Sequence, residues 1–453
     1  MASTEITRTL ASGAATTIWT LAFWFKKADS GSYQRFFTCN GTGDVYFRFN
    51  NTEGLELSAG GSDQGVLNTN RKFRDSGAWY HFVIRYDSTE VSANDRFRLY
   101  INGVDERDVG GYSTSTMPSS SQTDNINLSG NVHRIGGLTG QYFGGEMSHM
   151  HLCIGYSYAP TEFGEVDSTS GIWKLIADPS VSYGTNGFFL KFEDRTNLDL
   201  DSSPNANTFA TAGTLTPTKD TPSNNFCTMN PIVGARSGFT WSNGNNKVVT
   251  GTVDNSGATL AFGSGKWYYE ILTDTRGNAY PGWQDLTNTE ADEDDTYTPP
   301  GFLGINPGVT YNAGSGVVFS SFKGLPASDW TDGDYIGLAF DMDNLSAWWS
   351  LNGQWYTADN ATATTLTRAQ VSANTNGFDL TTASLFDSTS LVAPCMGCST
   401  VSCTTSFNFG NGVFGATTLG GTTYNDDAGN GIFKYEPPDG FRAICTKNIK
   451  TYG

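Results

Sequence analysis

YIGLAFDMDNLSAWWSLNGQWY, residues 335–356, places three tryptophans in 22 positions. At the two-residue period of a β-strand, Ile336, Leu338 and Phe340 fall on one face. An Asp-containing turn follows, then a second strand. Asn352-Gly353 can adopt positive φ at both central positions of a tight type I′ hairpin. The stretch therefore predicts two turns linking three antiparallel strands. Trp348 and Trp349 are adjacent, so one must point into the core and the other away from it, under a loop or a second sheet.

The first half echoes this pattern. WYHFVIRYD (79–87) puts Tyr80, Phe82, Ile84 and Tyr86 on one side and Trp79, His81, Val83 and Arg85 on the other, and RFRLYINGV (96–104) ends on Asn102-Gly103. Further alternating runs lie at 19–25, 35–38, 45–49, 133–137 and 150–155. A second series begins near residue 238 with FTWS, NKVVTGTV and TLAFGSGKWYYEILTD and continues to TTSFNFG. Gly, Asn, Asp and Ser clusters separate them, the spacing of an all-β sandwich. Glycine makes up 53 of 453 residues, against a usual ~7%, which favours turns. No run keeps apolar residues at helical spacing over three turns. TEFGEVDSTSGIWKLI (161–176) is the best short helical candidate, and 195–225 reads as a surface connector with one more strand near ANTFATAG. The chain is expected to be all-β, with two antiparallel β-sandwich domains in tandem, 1–228 and 229–453.

The net charge of −18 argues against nucleic acid, which needs a basic surface, and against an anionic membrane surface. Acidic charge keeps a strand-rich surface soluble. No stretch reaches the ~18 apolar residues of a membrane span. ATTIWTLAFWFKK lacks a basic n-region and is not a secretion signal. Seven cysteines are present; only Cys395, Cys398 and Cys403 cluster. No fourth ligand follows at zinc spacing, so they read as small buried residues, and cytoplasmic synthesis disfavours disulfides.

Glu290, Asp292 and Asp294 alternate as glycanase carboxylates do, but their flanks are turn-like and a solvated acidic loop fits better. His149 and His151, on one face of a strand, could seat a metal with His81 or Glu146; ordinary partly buried histidines fit better. There is no nucleophile elbow, phosphate loop or HExxH, and no catalytic residue or cofactor is assigned. Tyr280, Trp283, Tyr297 and Trp330 sit in Gly/Pro/Asp-rich connectors. Such rings stack on sugars or anchor protein partners, which makes these four the ligand-binding candidates.

GKWYYEI (265–271), FLGI (302–305), YIGLAFDMDNLSAWWSLNG (335–353), the Pro394 strand with SFNFG (406–410), and PPDGFRAI (437–444) stand in SPRY order. The second half resembles that family, which implies a bent sandwich whose loops bind protein or glycan and no enzymatic activity. TIWTLAFWFKK (17–27), GAWYHFVIRYDST (77–89), FRLYINGV (97–104) and GGEMSHMHLCIG (144–155) make the first half look like a concanavalin A-like or laminin-G-like jelly roll. Such domains often bind glycans, sometimes through calcium, whose ligands cannot be placed here residue by residue. With FGEVDSTSGIWKL, YGTNGFFLKFED and DTPSNNFCTMNPI (220–232), nearly the whole chain is similar to structural proteins of tailed phages, marine ones especially. That resemblance implies a virion protein, in a tail fibre or as a decoration, made in the host cytoplasm. Its partners would be other virion proteins and a host-surface glycan or protein. It also implies a homo-oligomer; fibres are commonly trimeric, although no heptad argues for a trimer. The jelly-roll residues begin almost at residue 1, with no tail-shaft or trimerising segment before them.

Overall fold

The computed structural model describes residues 4–41, 44–60, 65–232, 238–250, 254–277, 279–287, 302–304, 311–313, 316–318, 330–357, 364–381, 386–398 and 402–453; at 254–255, 302–304, 311–313 and 316–318 only the backbone is described. The chain divides into two compact units, Met1–Pro217 with Thr221–Ser223, and Thr218–Asp220 with Asn224–Gly453. Both are all-β and almost wholly antiparallel.

In the first unit one sheet runs in the order Tyr112–Thr116, Val66–Lys72, Gly54–Ser58, Val45–Phe49, Gln34–Asn40, Val132–Ile135, Glu5–Thr9, Ala210–Ala212. The other runs Phe188–Leu190, Gly145–Ile154, Ile18–Lys27, Trp79–Asp87, Phe97–Ile101, Val104–Asp105. Alternation decides what lies between them. Phe82, Ile84 and Tyr86 meet Leu21, Phe23, Phe47 and Phe49 in one core. The packing is aromatic: Phe25 and Phe82 centroids are 4.4 Å apart, and Trp19 stacks on Tyr86 at 5.5 Å. Each such pair adds about 0.5–1.5 kcal/mol beyond its burial. Val83 and Ala22, on the far face of the second sheet, pack with Cys153, Phe163, Tyr183 and Phe189 in a smaller cluster.

In the second unit the larger sheet runs Phe239–Ser242, Lys247–Thr250, Cys403–Asn408, Lys266–Thr275, Tyr335–Asp341, Ser346–Leu351, Gln354–Tyr356, Thr365–Leu366. A four-stranded sheet of Asp254–Gly257, Val392–Cys398, Ala279–Asp285 and Phe302–Gly304 accompanies it. Residues 335–356 form the expected three strands. Asn352 and Gly353 have φ of +49° and +84°, and Asn102 and Gly103 have +49° and +81°. Ile336, Leu338, Phe340 and Trp349 share the main core. Trp348 points the other way and is equally buried, among Tyr268, Phe433, Phe441 and Ala443. Its indole N–H donates to the Thr375 carbonyl at 3.1 Å.

Two expectations are corrected. Residues 161–176 are not a helix: a single turn, Pro160–Glu162, leads into a hairpin of Gly164–Val166 and Trp173–Leu175. The Asp167 carboxylate accepts the N–H groups of Thr169 and Ser170, a local alternative to helical bonding. The Trp173 indole lies so close to Gly103 and Gly164 that a Cβ at either would meet it at 2.5–2.6 Å. Cys398 and Cys403 are joined in a disulfide, whereas Cys39, Cys153, Cys227, Cys395 and Cys445 are buried free thiols. The bond joins the end of Val392–Cys398 in the four-stranded sheet to the start of Cys403–Asn408 in the larger sheet, a link between sheets that sequence spacing does not reveal.

One polar group is fixed inside the second unit. The Glu270 carboxylate, fully buried, accepts the backbone N–H groups of Lys434 and Tyr435 at 2.8 Å each, the Tyr268 hydroxyl at 3.0 Å and Asn408 Nδ2 at 3.2 Å. Burial raises its pKa to about 7, and these donors pull it back. All four donors suit an acceptor-only ionised carboxylate. Glu270→Gln turns an N–H₂ toward two of them and is expected to lower stability at pH 8 by about 2–3 kcal/mol in urea unfolding. An unchanged midpoint would mean that a neutral group satisfies the site.

Candidate functional site

Three of the four predicted ligand-binding aromatics are buried in the core and present no surface. Tyr280 and Trp283 lie on the strand Ala279–Asp285, hydrogen-bonded between Val392–Cys398 and Phe302–Gly304, and are 2% and 0% exposed. Trp330 is also fully buried and donates its indole N–H to Thr273 Oγ1 at 2.8 Å. Tyr297 lies outside the described residues, as do Glu290, Asp292 and Asp294. Gly282 and Pro281 gave the segment the look of a loop. Its backbone is instead a strand, and burial of two large rings outweighs the turn propensity of those residues.

The second unit does carry a depression of about 390 Å³, lined in part by Gly353, Trp355, Arg368, Tyr424, Tyr435 and Glu436. The Asn352-Gly353 turn lies against Tyr435, where a Cβ on Gly353 would come within 2.4 Å of the ring. Arg368 is already engaged by Glu436 at 3.3 Å, Asp439 at 2.5 Å and the Pro437 carbonyl at 3.2 Å.

A more specific arrangement lies on the first unit's larger sheet, on the face away from the core. In VYFRF (45–49), Val45, Phe47 and Phe49 are buried, which turns Tyr46 and Arg48 outward. Register sets Arg48 opposite both Arg35 and Glu56. Arg48 Nε and Nη2 bind Glu56 Oε2 at 2.8 and 2.7 Å, and Asn50 Nδ2 donates to Glu56 Oε1 at 3.2 Å. The Arg48 guanidinium lies 4.5 Å from the Tyr33 ring centroid and 4.8 Å from that of Tyr46; Arg35 lies 5.0 Å from the Tyr46 ring. Gln141 Oε1 accepts from Arg35 Nε at 2.9 Å and Arg48 Nη1 at 3.5 Å. Tyr33 is 37% exposed, while Arg35, Tyr46, Arg48, Glu56 and Gln141 are partly exposed. The loop before Tyr33 is fastened from below: buried Glu53 pairs with Lys27 and accepts the Gly31 N–H. The face thus combines flat rings with fixed donors and acceptors, the chemistry that grips a hydroxyl-rich ring. Alternation in VYFRF could have flagged Tyr46 and Arg48; the pairing with Arg35 and Glu56 could not be read without the register.

Residues 3–156 match the family model of the concanavalin A-like lectin/glucanases superfamily. Every residue of the arginine–tyrosine face falls within this matched stretch. No curated protein matches the chain. Among solved structures it is similar to the SPRY domain of human HERC1, at 15% identity over 40% of this chain and 96% of that one, with a TM-score of 0.26. It is also similar to a heptameric pentraxin of Limulus polyphemus (14% identity, 33% and 69% covered, TM-score 0.25). A third is a Bacteroides ovatus protein proposed to bind carbohydrate (14% identity, 48% and 59% covered, TM-score 0.29). Likenesses of this size carry no argument about what the chain binds.

The first unit also buries all four histidines. His149 and His151 lie on the same side of the strand, both against the Phe189 ring with centroids 5.8 and 3.9 Å away, although a register irregularity between Ser148 and His151 and a φ of +48° at His149 interrupt the regular alternation there. His151 Nδ1 meets the Tyr183 hydroxyl at 3.1 Å, and Trp173 donates its indole N–H to His81 Nδ1 at 3.0 Å. Among the described residues no group of three His, Cys, Asp or Glu side chains is placed to hold a metal. Burial lowers the pKa of His81 to about 3, of His133 and His149 to about 4, and of His151 well below 6.5. A lowered histidine pKa means that the unfolded chain binds protons first. This contribution is complete above pH 6.5 and is lost as pH falls toward about 4. Asp124, raised to about 7 by burial, and Asp29 and Glu106, also raised by burial, work in the opposite sense, while the lowered carboxylates of Asp95, Asp167, Asp178 and Asp194 act with the histidines. The melting temperature is expected to fall between pH 7 and pH 4, with a shallower slope in His151→Gln. Equal slopes would refute the neutral buried imidazole.

Proposed function

We propose that this chain is a non-enzymatic virion protein of a tailed phage, part of a tail fibre or another host-contacting appendage, and that it holds a host-surface glycan on the arginine–tyrosine face of its first unit. The observation that carries the glycan reading is the Tyr33–Arg48–Tyr46–Arg35 array, exposed on a lectin-type unit and braced by Glu56 and Gln141. The virion assignment is supported by the order of sequence motifs along the chain. The non-enzymatic reading is supported by the Glu56 carboxylate, which Arg48 and Asn50 occupy, so that it is poorly placed to exchange a proton with substrate. Rigid strands present the face, and repeated copies on a particle multiply weak contacts.

Purified chain is expected to bind host cells and host polysaccharide without releasing reducing sugar. Tyr46→Ala should weaken binding by about tenfold or more while leaving the circular dichroism spectrum intact. Binding to other virion proteins alone, with none to host surface, would assign the chain to decoration instead.

A further inference from the structure

Arg35 and Arg48 occupy directly opposed positions on neighbouring strands. Like charges so placed repel, and the one carboxylate bonded in the array serves only one of the two guanidiniums. Glu56 takes Arg48. Arg35 spends Nε on the neutral Gln141 oxygen, and its two terminal nitrogens donate to nothing among the described residues. Asp44 acts on Arg35 only through its more distant charge. Burial and the neighbouring Arg48 both lower the Arg35 pKa, although a guanidinium stays charged at neutral pH. The chain as a whole carries −18, so two adjacent guanidiniums run against its overall field. The Tyr46 ring holds the Arg35 fork in place, which reduces the ordering cost of using it.

Resting on the glycan reading above, we infer that the bound glycan carries a carboxylate, as a uronic-acid residue does, and that Arg35 is the residue that selects it. The free edge of a planar guanidinium matches a planar carboxylate through two parallel N–H···O bonds. Glu56 repels an anion at the far end of the face, so the ligand lies with its carboxylate at the Arg35 end and its neutral rings toward Tyr33.

The experiment measures calorimetric binding of oligoglucuronate, oligogalacturonate and oligomannuronate, each against its methyl ester, which keeps shape and removes charge. At least one acid should bind tenfold or more tightly than its ester at low salt, with the difference shrinking as salt rises. Arg35→Gln should abolish that difference and leave the unfolding midpoint unchanged, and Arg35→Lys should restore it only in part. Equal binding of acid and ester, or an acid preference that survives Arg35→Gln, overturns the selection while leaving glycan binding intact. Binding of host polysaccharide with no uronate bound overturns it too. If neither uronates nor host polysaccharide bind, both readings fall.

Discussion

Adjacent tryptophans on one strand impose the constraint on which the second unit depends. Trp348 and Trp349 point to opposite faces of the sheet, and leaving either in water would forgo roughly 2–3 kcal/mol of burial. The sheet must therefore be covered twice. The four-stranded sheet covers the Trp349 side, with Trp283 and Met396 in the shared core. The C-terminal segment covers the Trp348 side through Phe433, Phe441 and Ala443. Glu270 fastens that segment to the sheet, because its buried carboxylate takes two of its four donors from the segment's backbone and two from the sheet.

Double coverage also decides where recognition can occur. Rings that would otherwise be available at the sandwich ends are consumed by the core, as Tyr280, Trp283 and Trp330 show. The first unit solves the same problem on one sheet only. Residues Phe163, Tyr183 and Phe189 cover the outer face of its second sheet. The outer face of its larger sheet carries the arginine–tyrosine array, where the rings remain partly exposed and the guanidiniums lie over them. That face is stiff for a physical reason: Arg35, Tyr46, Arg48 and Glu56 are locked into strand ladders, and the adjoining loop that carries Tyr33 is tied by the buried Lys27–Glu53 pair. A binding surface made of strands loses little entropy when it engages a ligand.

Much of the fold was legible in the residues. Period-two alternation located Tyr335–Asp341, Trp79–Asp87 and their hairpins, because a strand exposed to core on one side leaves that signature in any context. Asn-Gly marked both type I′ turns, since few other pairs tolerate two positive φ values. The reading failed at 161–176, where the best short helical candidate folds as a hairpin around Asp167 and Trp173. It failed again at 279–285, where Gly and Pro within a buried strand imitate a loop.

The sequence by itself determined the all-β class, the two tight turns and which side of most strands is apolar, because these follow from interactions within a few residues. Only the tertiary structure decided that both tryptophan faces are covered, that Cys398 meets Cys403, and that Arg35 stands beside Arg48 with Glu56 on the far side of Arg48. Those facts depend on strand register and on which distant segment supplies the cover, and neither is encoded in local alternation.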